Sequence, residues 1–333
     1  EASPDPLDVL ARRAAPRLRE GNQPRFGVAA ELADQARPEG ARHFAECLEM
    51  TPKVRMAVGR LPDWIQRVTD EDAALARIAY KDAVGIAEDA GPRFFEMLAA
   101  HLRHPWMVAR LISAVMHKPP ESYLAGSELA FFGERVLDAV DEELKGVDAF
   151  DAEGGVAAVK AAGAAVDAVT AQIAEIEGNV ELSREGVWGG RVARQKKSLA
   201  RVVEARLREA DKAVRTALPT SQVRVGRVNK DRPRLDHPPN AAAAQKAKTL
   251  AAFAQEIRGA ANYGGFAAAR AKTIESLEEL LDTYVDEALD DLRLGDADDP
   301  EAARALIAAA ADLVAIVRDR QAADLVRRRL SAV

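Results

Sequence analysis

Cysteine is almost missing from this chain, since Cys47 is the single one among 333 residues. One thiol excludes an internal disulfide and every multi-cysteine zinc site. Aromatic residues make up only 5% of the sequence. Isoleucine and threonine are also sparse, so a large β-sheet is not expected. No uninterrupted apolar run reaches 18 residues, so we expect no transmembrane segment.

Local motifs that carry chemistry in other proteins are missing as well. None of the five histidines follows a glutamate at the spacing used in di-iron bundles. The sequence has no His-Glu-x-x-His motif, no Gly-rich phosphate loop and no Gly-x-Ser-x-Gly elbow. We therefore expect no cofactor and no metal. The sequence favours a non-catalytic protein over an enzyme.

Two pairs of side chains are candidates for a reactive thiol and a metal-binding group. His43 and Cys47 are four residues apart on an expected helix, where an imidazole can lower the pKa of a thiol. His101 and His104 are three apart and can share a metal ion. For both pairs, chance placement on a helix is the favoured interpretation.

What the chain has in abundance is alanine, with 69 residues, which favours helix because alanine loses no side-chain entropy there. We predict an all-α protein with a compact N-terminal helical region followed by an elongated helical bundle. Residues 1–148 are expected to form short helices separated by prolines. Residues 149–333 are expected to form the bundle.

A long antiparallel helical hairpin is predicted over residues 152–218. Glycines mark the junction between its two arms, and Trp188 is placed at its tip. The first arm has a coiled-coil type of apolar spacing, carried by Val159, Ala162, Val166, Val169, Ile173, Ile176 and Val180. The second arm has an apolar stripe at helical spacing, formed by Val192, Leu199, Val203, Leu207, Ala210, Val214 and Leu218.

Beyond the hairpin, residues 219–240 are basic and contain four prolines, which predicts a connecting linker. Residues 241–331 are expected to form further helices. Asn240 and Asp299 are the expected N-caps for two of them.

Charge is strongly segregated along the second half. Residues 191–234 carry 14 Lys/Arg against 4 Asp/Glu, and residues 275–301 carry 12 acids against one arginine. We predict that each set lies opposite the apolar stripe of its helix and can bind a partner. The basic candidates are Arg194, Lys197, Arg201, Arg208, Lys212 and Arg215, and the acidic candidates are Glu278, Asp282 and Asp286.

These features predict a helical scaffold or adaptor that presents charged surfaces to a protein partner, and opposite charges on one chain also allow a homo-oligomer. The first alternative is sequence-independent binding of nucleic acid through the basic surface of residues 191–234. The second is a helical enzyme with a pocket between the two halves. We expect a cytoplasmic protein, although Glu1 as first residue is equally compatible with a removed signal peptide.

Overall fold

The computed structural model describes residues 5–19, 38–66, 68–86, 90–225 and 228–333. The fold is all-α, with one small two-stranded sheet. The first helices in chain order are α1 (Pro6–Arg19), α2 (Pro38–Val58), α3 (Leu61–Gln66), α4 (Asp70–Val84), α5 (Ala90–Ala99), a 3-10 turn (Pro105–Met107), α6 (Val108–Met116), α7 (Glu121–Ala125) and α8 (Ala130–Asp148). They are followed by α9 (Gly155–Asn179), α10 (Val187–Ala217), β1 (Thr220–Val225), β2 (Val228–Pro233), α11 (Ala241–Glu256), α12 (Ala267–Leu294), α13 (Pro300–Val317) and α14 (Arg320–Ser331).

The chain divides into two compact units. Unit 1 comprises residues 1–137 and 174–190, and unit 2 comprises residues 138–173 and 191–333. The boundary between the units falls within helices α8, α9 and α10.

Aromatic side chains form part of the core of unit 1. Tyr80 stacks on Phe95 with ring centroids 5.3 Å apart. Phe95 makes edge contacts with Phe94 and Phe132 at 5.6 Å and 6.3 Å. Trp64, Phe94 and Phe95 are fully buried. A small core therefore obtains much of its buried apolar area from a few large rings.

A capping box begins α4, where Thr69 and Asp72 have the spacing of this motif. The Thr69 hydroxyl accepts a hydrogen bond from the Asp72 backbone N–H, and the Asp72 carboxylate accepts one from the Thr69 N–H. Two backbone donors that the helix cannot satisfy are thereby paired.

A buried carboxylate holds the turn between α9 and α10. Glu121 accepts hydrogen bonds from the backbone N–H groups of Trp188 at 2.7 Å, Ser183 at 3.0 Å and Gly189 at 3.1 Å. The N–H groups at a helix N-terminus have no partner within the helix, and they favour a negative charge. A Cβ at Gly186 would overlap this carboxylate. The glycines at the junction thus allow the carboxylate to approach the backbone closely.

Trp188, expected at the tip of the hairpin, is buried in unit 1. Its indole N–H donates to Glu134 at 2.6 Å. Its ring lies against Gly133, where any added Cβ would overlap the ring. The small residue at position 133 therefore creates the space that the indole fills.

Helix α13 packs against three other helices of unit 2, namely α11, α12 and α14. Asp299 caps it by accepting from the N–H groups of Glu301 and Ala302, which confirms that predicted cap. Asn240 likewise caps α11 by accepting from the Ala243 N–H. Helix α13 is lined on several sides by alanine and branched aliphatic residues, which allows three neighbours to approach it.

The predicted apolar stripes are buried. Every member of the stripes on α9 and α10 is buried, as are the flanking Val180 and Leu218. On α12, Leu277, Leu281, Tyr284 and Ala288 are buried and Ile274 is half-buried. The period of the apolar residues thus identifies the inward face of each helix.

The segment expected to be a linker contains a β-hairpin instead. Strands β1 and β2 pair antiparallel, from Thr220 opposite Pro233 to Val225 opposite Val228. Alternating valines and polar residues suit a two-stranded ladder, and the prolines lie at its end and beyond it. An ion pair between Arg232 and Asp291 links β2 to α12.

The last helical region is divided into two helices, α13 and α14. Arg318 leaves the helical conformation with φ −109° and ψ −93°. Asp319 then begins α14 by accepting a hydrogen bond from the Ala322 N–H at 2.8 Å. Aspartate is a preferred N-cap residue, so a signal for this break is present in the sequence.

We expect Gly133→Ala to destabilise unit 1 by about 1–3 kcal/mol, because its methyl group would overlap the Trp188 ring. Gly178→Ala is the matched control, since nothing lies within 4 Å of a Cβ there. This variant should be neutral or more stable by up to about 1 kcal/mol. Trp64, Trp106 and Trp188 all lie in unit 1, so tryptophan fluorescence during urea unfolding measures the effect. Equal stabilities for the two variants would contradict the packing described here.

Acid sensitivity is expected from Glu209 on α10. The hydrogen bond from Lys246, partly offset by burial and aided by Arg206, holds the pKa of Glu209 below its ordinary value of 4.5. A carboxylate with a lowered native pKa stabilises the fold above its ordinary pKa, and this contribution is lost as pH falls through the native pKa. Glu209→Gln should therefore lower stability at pH 7 and flatten the loss of stability below pH 4.5. Circular dichroism melts from pH 7 to 3 test this, with the exposed Glu275→Gln as control.

Candidate functional site

The six basic candidates form one exposed ridge on α10, which we call the basic ridge. Its members alternate with the buried stripe of the same helix, and each is exposed. At 1.5 Å rise per residue the ridge is about 32 Å long. It consists of Arg194, Lys197, Arg201, Arg208, Lys212 and Arg215.

Four of the six cations in the basic ridge have no ion-pair partner in the described part of the chain. Among the described residues, Arg194, Lys197, Arg201 and Lys212 make no ion pair. The two other members pair only with residues four positions earlier on α10: Arg208 lies 3.8 Å from Glu204, and Arg215 lies 2.9 Å from Asp211. The ridge therefore keeps most of its positive charge.

The cations of α10 outside the basic ridge form ion pairs or a cation–π contact with other residues of unit 2. Arg191 pairs with Asp138 and Asp141, and Arg206 pairs with Glu209 at 2.9 Å. Lys196, which falls near the apolar side of the helix, lies 4.7 Å from the centre of the Tyr263 ring. A cation over an aromatic face is stabilised by the ring quadrupole. Helix α10 thus separates cations that hold the fold from cations that face solvent.

The acidic candidates on α12 are paired, but not with the basic ridge. Arg318 makes two hydrogen bonds to Asp282 at 2.5 Å and 2.7 Å and lies 3.8 Å from Glu278. Arg329 lies 2.7 Å from Asp286. The pKa of the Arg318 guanidinium is raised, and the main cause is its hydrogen bond to Asp282. Arginines from the C-terminal region therefore neutralise this acidic stripe.

The Cys47 thiol and the pair His101 and His104 lie outside both charged surfaces, Cys47 on α2 and the histidines between α5 and α6. Burial, with a smaller effect of Glu96, raises the pKa of the Cys47 thiol, which favours the neutral thiol over the nucleophilic thiolate. His104 stacks on Trp106, with ring centroids 5.4 Å apart. Within the described residues, no group of three His, Cys, Asp or Glu side chains could hold a metal ion.

Among the described helices, α9 alone is long and apolar enough to cross a membrane. Its most apolar window has a mean hydropathy of 1.3, and 44% of that window is buried inside the protein. Length and composition are weak indications by themselves, because the core helix of a soluble protein has the same properties. The expected absence of a transmembrane segment stays a prediction.

Arg318→Gln tests the neutralisation of the acidic stripe. The arginine and its two partners are one-third to one-half exposed, so we expect a loss of only about 0.5–1 kcal/mol. The loss should shrink in 1 M salt, where the Debye length is about 3 Å. Thermal melts at low and high salt measure it, with the exposed Arg320→Gln as control. A loss that is equal in both variants would argue against a specific role for Arg318.

Comparison of the chain with protein-family models, with curated proteins and with solved structures finds no match. Among the described residues, four of the six cations of the basic ridge make no ion pair, whereas all three acidic candidates on α12 are paired with arginines.

Proposed function

We propose that this protein is a non-catalytic helical scaffold or adaptor that docks an acidic protein partner on the basic ridge of α10. The observation that supports this proposal is the exposure of four cations, Arg194, Lys197, Arg201 and Lys212, without an ion pair among the described residues. Uncompensated charge along one face steers a partner of opposite charge and favours one orientation of binding.

A partner with its own acidic surface fits the ridge better than a second copy of this chain does. Self-association would require the acidic stripe of α12, and Glu278, Asp282 and Asp286 already have arginine partners. Docking of α12 on the ridge would exchange these intramolecular pairs for intermolecular ones. That exchange gains little, because each exposed pair contributes only about 0–1 kcal/mol.

Nucleic acid is the alternative ligand for the same surface. A row of separated cations can contact successive phosphates without reading bases. Such binding weakens steeply with salt, because each neutralised phosphate releases counterions. Salt dependence and ligand preference therefore distinguish the two functions.

The decisive experiment reverses part of the ridge. A triple variant, Arg194→Glu, Lys197→Glu and Arg201→Glu, is compared with a control triple that has the same change in net charge. The control changes Arg258, Lys272 and Arg320 to glutamate, which are exposed residues outside α10. Binding of fluorescent poly-L-glutamate and of a duplex DNA is measured for each protein from low to physiological salt.

We expect the ridge variant to bind poly-L-glutamate at least about tenfold more weakly than the wild type, a loss of about 1.4 kcal/mol. The control triple should stay close to the wild type. Quantitative cross-linking and mass spectrometry in the native host should then show acidic proteins that the ridge variant loses. Equal binding by both triples would contradict the proposal, and a strong preference for DNA would assign the ridge to nucleic acid. Native mass measurement of the wild type reports self-association separately.

A further inference from the structure

Strand β1 has an outer edge, on the side away from β2. At the base of the β-hairpin, the Arg234 N–H donates to the Pro219 carbonyl at 2.9 Å, so these two residues form a hydrogen-bonded pair. In an antiparallel ladder, hydrogen-bonded pairs alternate with pairs whose N–H and C=O groups point away from each other. The register therefore directs the backbone groups of Thr220, Gln222 and Arg224 outward, along the outer edge of β1.

This edge is open in the described part of the chain. No other described segment makes a backbone hydrogen bond with its outward groups. Strand β2 packs against α12, whereas β1 has no comparable described neighbour besides β2. Residues 220–224 are all exposed. A strand edge with free N–H and C=O groups can pair with a further extended segment.

The side chains of β1 indicate which segment would fit. Successive side chains of a strand point to opposite faces, so Val223 and Arg224 lie on different faces of the hairpin. Val223 is 41% exposed. Arg224 is exposed and makes no ion pair with any described residue. Because side chains on adjacent strands interact in pairs, an added strand gains from an apolar residue beside Val223 and a carboxylate beside Arg224.

The charge of the hairpin selects an acidic segment over a second copy of this chain. Residues 220–234 contain five Lys/Arg and one acid, Asp231. Asp231 lies on β2 and lines a cleft together with Arg215 of the basic ridge. The pKa of Arg215 is raised, chiefly by Asp211 and also by the charge of Asp231. Two hairpins of net positive charge repel each other, since charged residues on an edge strand oppose pairing between copies.

We propose that the outer edge of β1 binds an extended acidic segment of the protein partner by strand addition. The segment places an apolar residue beside Val223 and a carboxylate beside Arg224. This inference rests on the proposed function for the acidic charge of the partner, and it adds the conformation in which part of that partner binds. Arg215 and Thr220 line the same cleft, so the edge begins where the basic ridge ends.

The first test uses the wild-type chain and a fluorescent peptide of about eight residues in which glutamate and valine alternate, long enough to span β1 at ~3.3 Å per residue. Fluorescence anisotropy at constant ionic strength measures its binding. With a glutamate beside Arg224, the glutamate N–H groups face β1 and the valine N–H groups face solvent. N-methylation of the glutamates should therefore weaken binding at least about tenfold, because backbone hydrogen bonds are lost.

The control peptide carries the same number of N-methyl groups on its valines and should bind within about twofold of the unmodified peptide. Equal affinities of all three peptides would mean that charge alone attracts them, which would overturn the proposal. A loss confined to the valine-methylated peptide would overturn it as well, and so would the absence of saturable binding at millimolar concentration.

Variants of β1 then locate the binding. Gln222→Pro removes one outward N–H, and proline is tolerated on an edge strand where its nitrogen faces away from the ladder. We expect it to weaken binding of the unmodified peptide about tenfold. Gln222→Thr keeps the N–H and is the matched control, and circular dichroism melts verify that both variants fold. Arg224→Gln should weaken binding about two- to fivefold, with a smaller effect in 1 M salt.

Failure of this inference is distinguishable from failure of the proposed function. If the ridge triple variant loses poly-L-glutamate while Gln222→Pro binds the peptide like Gln222→Thr, the basic ridge is supported and strand addition is refuted. If Gln222→Pro loses the peptide while the ridge variant keeps poly-L-glutamate, strand addition is supported and the ridge is refuted. A wild-type dimer that Gln222→Pro dissociates would assign the edge to a second copy. Tighter binding of duplex DNA than of the peptide, lost in Arg224→Gln, would assign the hairpin to nucleic acid, and either result would refute the proposal.

Discussion

Arg318 and Arg329 neutralise the acidic stripe of α12 from the C-terminal region of the chain, and no described residue does the same for four cations of the basic ridge. Residues 191–234 and 275–301 carry similar numbers of cations and acids, 14 and 12. Among the described residues, all three acidic candidates have arginine partners, whereas only two of the six ridge cations have a partner. The break at Arg318 brings this about, because the side chain lies where α13 ends, within reach of Glu278 and Asp282. The availability of the basic ridge thus follows from pairing elsewhere.

The carboxylates of α12 divide by position around the helix. Glu278, Asp282 and Asp286 repeat every four residues and face the C-terminal arginines. Glu279 and Glu287 follow members of that stripe by one residue, which rotates them by about 100° towards a cleft that α12 forms with the β-hairpin. A shift of one position therefore separates carboxylates with arginine partners from two carboxylates that make no ion pair with any described residue. Net charge over the segment cannot show this division.

The inward faces of the long helices can be predicted from the sequence, because burial follows the helical period of apolar residues. Local caps at Thr69, Asn240 and Asp299 were equally accessible. Contacts between residues that are distant in sequence cannot be predicted in this way. Glu121 binds the backbone at Ser183 and Trp188, more than 60 residues away, and no local pattern indicates that contact. Tyr284 lies among the buried apolar residues of α12. The spacing of these residues does not indicate that its hydroxyl lacks a hydrogen-bond partner among the described residues.

The basic ridge also carries a cost within its own helix. Arg194 with Lys197, Lys197 with Arg201, and Arg208 with Lys212 are like charges three or four residues apart, and such pairs destabilise a helix by about 0.2–0.5 kcal/mol each. An ordinary solvated face avoids this cost by alternating the sign of its charges. Burial of the seven apolar residues on the opposite face, worth about 1–3 kcal/mol for each large side chain, easily offsets it. The helix can therefore tolerate a ridge of one sign, whose repulsion an acidic partner would relieve on docking.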